Sequence, residues 1–141
     1  MAAGVTVDVV PGVTSAISVP AFAGVPVTHR GITHEFVVVS GHLPPGHAQS
    51  LVDWAALGRL TGTIVLLMAV ENIGAIAEAL VAGGRDPETP AVAVQEGGLP
   101  GEALARAPLA KLPSAITAAG LRPPAVVVIG EVADPESFPA P

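Results

Sequence analysis

The chain has 141 residues, enough for one ordinary domain that hides about two-thirds of its unfolded surface on folding. A net charge of −6, with only 6 Lys and Arg, argues against a nucleic-acid partner, because neutralising phosphates takes clustered cations. There is no cysteine, which removes disulfides and thiolate metal sites and points to a reducing, cytoplasmic compartment.

Half of the residues are hydrophobic but only 3% are aromatic, so the core is built from many small Ala and Val contacts. The 16 Gly and 15 Pro predict short elements separated by sharp turns. The apolar runs at 63–70 and 123–129 are too short to cross a bilayer, so no membrane partner is expected. No basic region precedes an apolar stretch at the start, as a signal peptide requires. With only 13% of residues charged, a large exposed apolar patch on this surface would mark a partner subunit or domain.

Val5–Val10 alternates and is β-branched, which predicts a strand ending at Pro11-Gly12. Thr14–Ala23 reads as a short helix capped by the hydroxyl of Thr14 or Ser15. Glu35–Ser40 reads as an apolar strand followed by the turn-rich Gly41–Gly46, and Leu51–Leu60 as a helical pattern broken by Gly58. Asp53 caps that helix and Trp54 anchors it in the core. Thr61–Val70 is a strand without a polar face, expected to be covered on both sides. Apolar residues at 73, 76, 77, 80 and 81 make a helix that Gly83-Gly84 ends. Pro90–Val94 is a strand, 103–107 another, Ala110–Ala119 a helix and Pro124–Val132 a final strand. The Pro-rich tail over 134–141 is expected to be disordered. Strands alternating with helices make this an α/β chain.

The order and spacing of several pieces carry a resemblance. They are Val9–Ala16 with Pro11-Gly12-Val13-Thr14, Pro26-Val27-Thr28-His29-Arg30, Ser40-Gly41-His42-Leu43, Asp53-Trp54, Thr63–Met68, Gly83–Arg85, Pro90–Gly97 and Leu121–Glu131. In that order the chain resembles the tetrapyrrole methylase family, in its uroporphyrinogen-III branch, from about Val7 to Val132. The resemblance implies the C-terminal domain of that fold: a mixed sheet of about five strands flanked by helices, over 33–133. Residues 1–32 would then connect from a preceding N-terminal half that carries the family's Gly-rich loop, its Gly-Gly-Asp-Pro loop and its proton-handling residues.

The same resemblance implies an activity: transfer of methyl groups from S-adenosylmethionine to carbons of uroporphyrinogen III, by a homodimer. It places Thr14, Ser15, Met68 and Gly97 as cofactor contacts on one concave surface, Arg30 as a partner for a substrate carboxylate, and no catalytic residue in this portion. Where the family continues after Gly97 with Thr and a Gln-Arg pair, this chain has Gly98-Leu99-Pro100-Gly101-Glu102.

Each of these residues also has a plainer reading. Thr14 and Ser15 serve as helix caps, Met68 as core, and Gly97-Gly98 as a turn. His29 and Arg30 would buttress a loop. The four histidines, His29, His34, His42 and His47, are spread over loop, strand and loop, and read as surface or structural residues rather than a metal site. Glu71 and Glu96 read as solvated. Two further functions fit the same pieces: a non-catalytic module for dimerisation or complementation, and another precorrin methyltransferase or a diphthine synthase.

Overall fold

The structure, a computed structural model, describes residues 4–137. Its elements are α1 (Ser15–Phe22), β1 (Phe36–Ser40), α2 (Trp54–Arg59), β2 (Thr63–Leu67), α3 (Ile73–Ala82), β3 (Pro90–Gln95), β4 (Ala103–Pro108), α4 (Leu112–Ala118) and β5 (Ala125–Ile129). The five strands form one sheet in the order β1-β2-β5-β3-β4. β1 and β2 pair in parallel, with Val38 opposite Val65, and the other three pairings are antiparallel. The sheet is therefore mixed, and the last strand is inserted between the second and third.

This insertion explains the apolar runs. β2 and β5 are interior strands, so consecutive residues point into two different cores and both must be apolar. Ile64, Leu66, Ala91, Ala93, Val127 and Ile129 pack under α2, α3 and α4 on one face. Val65, Val92, Val94, Val126 and Val128 pack on the other against Ala16 of α1, Val25 of the loop after it, and Val132 and Ala133.

The helices follow from local signals. The Asp53 carboxylate accepts from the amide of Ala56 at 2.9 Å, the cap expected at the start of α2, and Trp54 beside it is buried. α3 buries Ile73, Ile76, Ala77 and Leu80 at helical spacing. Gly58, however, does not break its helix. It is buried inside α2, where a Cβ would come 2.5 Å from the carbonyl oxygen of Leu80 and 2.8 Å from the Cα of Gly83. A side chain there would push α2 off α3, so this glycine permits a close helix crossing.

One further expectation fails. Val5–Val10 forms no strand: Val5, Val7, Val9 and Val10 are 63%, 67%, 86% and 89% exposed. An alternating sequence becomes a strand only with a neighbour to pair with, and neither sheet edge, β1 or β4, receives it. In the tail, Pro135–Ser137 forms a 3₁₀ turn and the amide of Ser137 donates to the carbonyl of Asp134. The rest of the tail, 138–141, lies outside the described residues.

Among the described residues, Arg85 is the buried cation. Its guanidinium donates to the carbonyls of Leu60, Gly62 (2.9 Å) and Ile129 (3.5 Å), tying the start of β2 to the end of β5. Burial lowers its pKa, and the charge of Glu131 acts in the opposite direction.

Candidate functional site

Because β5 runs antiparallel to both β2 and β3, the carboxyl ends of β1, β2 and β3 lie along the same edge of the sheet. The start of β5 lies between them there. Ligands of open α/β sheets collect at such an edge, in a crevice beyond the strand ends. A cleft of about 750 Å³ occupies it, lined among others by Ser15, Val19, Leu67, Met68, Gly97 and Val126.

Each lining residue is set by its element. Thr14 caps α1: its hydroxyl accepts from the amide of Ala16 at 3.3 Å, and its carbonyl from the amide of Ser18 at 3.0 Å. That leaves Ser15, the first helical residue, on the cleft wall, while Thr14 is not part of the lining. Met68 follows β2 with φ of +54° and is 63% exposed. The left-handed turn throws this thioether out of the core that the rest of β2 enters. Glu96 follows β3 in the same way, with φ of +49°.

Gly97 is fixed by contact. A Cβ on it would lie 2.8 Å from Cγ1 of Val19 and 3.2 Å from the Val19 carbonyl oxygen, so only glycine lets the β3–β4 turn lie against α1. At Gly98, with φ of +80°, a Cβ would stand 2.7 Å from the ring of Phe22. The unusual segment after Gly97 closes on itself, as the Gly98 amide donates to the Glu102 carboxylate at 2.6 Å. It is a tight hairpin turn at the mouth of the cleft.

Three of the four expected cofactor residues, Ser15, Met68 and Gly97, thus meet at one concave surface, and the fourth caps the helix that carries Ser15. Arg30 is exposed on the loop after α1 and lies outside the lining. Its carbonyl accepts from Nδ1 of His29 at 2.9 Å, and the His29 amide donates to Thr33 at 3.0 Å, so the pair does buttress a turn. Glu71 and His42 are exposed, as the sequence reading has them, and together with the half-buried Glu96 they line the cleft. The 3₁₀ turn Val70–Asn72 after Met68 carries Glu71 there, and the turn after β1 carries His42. Their one sequence signal is position just beyond a strand end, which has meaning only once the strand order is known.

The donor set suits an adenosyl-sulfonium ligand. It has a helix start with a hydroxyl, a flexible thioether, a glycine turn packed on that helix, and apolar walls from Val94 and Val126.

Comparison with known proteins agrees with this geometry. The family model for Tetrapyrrole (Corrin/Porphyrin) Methylases matches residues 1–113. A uroporphyrinogen-III C-methyltransferase from Sinorhizobium sp is 40% identical over 124 residues, covering 88% of this chain and 44% of that protein. An S-adenosyl-L-methionine-dependent uroporphyrinogen III methyltransferase from Methanosarcina barkeri is 40% identical over 125 residues, with 89% and 49% covered. A siroheme synthase from Nitrosomonas eutropha is 39% identical over 125 residues, with 89% and 26% covered. The crystal structure of the Thermus thermophilus uroporphyrin-III C-methyltransferase, complexed with S-adenosylhomocysteine, superposes with a TM-score of 0.74 at 38% identity. That match covers 92% of this chain and 54% of the Thermus chain. The chain spans about half the length, or less, of the relatives it matches. Fold and sequence agree: the chain belongs to the tetrapyrrole methylase family.

Proposed function

We propose that this chain forms one wall of the cofactor cleft of an S-adenosylmethionine-dependent uroporphyrinogen-III C-methyltransferase, acting on the route to siroheme or cobalamin. The observation that carries this reading is the convergence of Ser15, Met68 and Gly97 at the carboxyl ends of β2 and β3.

Bound there, S-adenosylmethionine would supply a methyl group on a positively charged sulfur, and an electron-rich pyrrole carbon needs no protein nucleophile to take it. The work of these residues is therefore binding and alignment. The start of α1 offers the amide and the hydroxyl of Ser15 to a carboxylate. Met68 and the apolar ends of β2, β3 and β5 pack against the adenosine and exclude water. Gly97 lets the β3–β4 turn lie against Val19 of α1, which closes this side of the cleft beside Ser15. No general acid or base is assigned to this portion.

The test is NMR titration of the 141-residue chain with S-adenosylhomocysteine. Expected are shifts of the Met68 methyl and the Gly97 amide; perturbation confined to other surfaces would overturn the reading. The chain works in the cytoplasm, supported by the absence of cysteine, and as a homodimer, supported by exposed Val5, Val7, Val9, Val10 and Val13. Those valines equally favour a second reading, a module that complements a separate N-terminal half. Methyl transfer that returns when such a half is added distinguishes it.

A further inference from the structure

The Gly41-His42 turn after β1 is held more firmly than a surface turn requires. The Gly41 amide donates to the carbonyl of Leu67 at 2.8 Å, locking the turn to the end of β2. Gly41 itself is buried, and a Cβ on it would lie 2.6 Å from the Cβ of Ala69 and 2.9 Å from Cδ1 of Ile76. The side-chain amide of Asn72 then donates twice, to the carbonyls of Gly41 at 2.8 Å and His42 at 3.0 Å. The backbone is clamped on both sides, while the imidazole it carries is exposed and lines the cleft.

Charge gives this placement a use. Among the described residues, the cleft lining has two carboxylates, Glu71 and Glu96, and no Lys or Arg; His42 is its one basic side chain. Arg30 lies outside the lining. A ligand that brings carboxylates into this cleft finds Glu71 and Glu96 as fellow acceptors and a ring N–H donor at His42. The start of α1, with Ser15, already offers donors to the carboxylate of the cofactor.

We propose that His42, positioned by Asn72, contacts a carboxylate of the methyl acceptor, a tetrapyrrole bearing acetate and propionate side chains. This rests on the reading of the cleft as a methyl-transfer site. His42 is the contact and Asn72 the positioning residue, holding the turn through its two hydrogen bonds.

The probes are uroporphyrin III, the stable oxidised form of the acceptor, and S-adenosylhomocysteine, titrated separately into the full 141-residue chain by NMR. Uroporphyrin III is expected to move the His42 ring resonances more than those of His34 and His47, and S-adenosylhomocysteine those of Met68 and Gly97. His42→Ala and Asn72→Ala should each weaken uroporphyrin III about tenfold, the loss of one charge-assisted hydrogen bond, and S-adenosylhomocysteine less than twofold. A merely structural role for Asn72 would weaken both ligands alike. Retained amide dispersion in the Asn72→Ala spectrum shows that the variant folds, and His42→Ala, at an exposed position, tests the contact independently. If His42→Ala binds uroporphyrin III as tightly as the parent chain, or if S-adenosylhomocysteine is the ligand that moves His42, the proposal falls and the cleft reading stands. If neither ligand perturbs a cleft resonance, both fall.

Discussion

At Gly41 a methyl group has no space, because the nearest atoms belong to Ala69 and cannot swing aside. Gly41→Ala should therefore cost about 1–3 kcal/mol, the usual range for overpacking a core. Gly74 in α3 makes the control: nothing lies within 4 Å of a Cβ there, and Gly74→Ala should raise stability by about 0.5–1 kcal/mol. Urea denaturation of the two variants checks both signs. Arg85→Met should cost about 2–4 kcal/mol, since it strips a donor from three carbonyls at a buried corner. A base whose pKa is lowered on folding weakens the fold at every pH below that lowered value, and the cost fades only as the pH rises through it. An arginine stays charged throughout the neutral range, so the stability gap between parent and Arg85→Met should not change with pH there.

Among the elements, α1 forms a cleft wall and is held by a long reach. Arg106 of β4 donates to the carbonyl of Ala133 at 2.5 Å and to that of Ala23, just after α1, at 3.2 Å. Arg106→Ala should speed hydrogen exchange of the Val25 amide, which bonds back to Pro20, by roughly tenfold while leaving Leu66 unchanged. What sequence could and could not reveal divides along the same line. α3 was legible because Ile73, Ile76, Ala77 and Leu80 repeat at helical spacing and two glycines follow. The caps at Thr14 and Asp53 were legible because capping is local. Gly58 misled, since propensity marks a breaker while the crossing of two helices demands a residue without a side chain. Val5–Val10 misled because alternation describes a strand's faces and says nothing of its neighbours. Ser15, Met68 and Gly97 came from resemblance rather than pattern. Glu71, Glu96 and His42 became visible only when the insertion of β5 brought three strand ends to one edge.

For the molecule as a whole, the chain spans about half the length of the methyltransferases it matches. A cleft reaction needs alignment from both walls, worth several kcal/mol of the barrier. The 141-residue polypeptide assayed alone should therefore transfer no methyl group from S-adenosylmethionine to uroporphyrinogen III, and turnover would show that one wall suffices. It should also self-associate in sedimentation velocity, through the exposed valines of residues 5–13, and a triple change of Val5, Val9 and Val13 to Ser should return it to monomer.

The position of Arg85 has an evolutionary and practical consequence. It fastens the strands at the edge where β2 begins and β5 ends, whereas the cleft opens where β2 ends and β5 begins. What keeps the strands together and what meets a ligand thus sit at opposite ends of the same strands. The exposed stretch around 46–49 at the open end can be lengthened, shortened or randomised with little penalty to assembly, whereas Gly97 and Gly98 must be kept for their fit against α1.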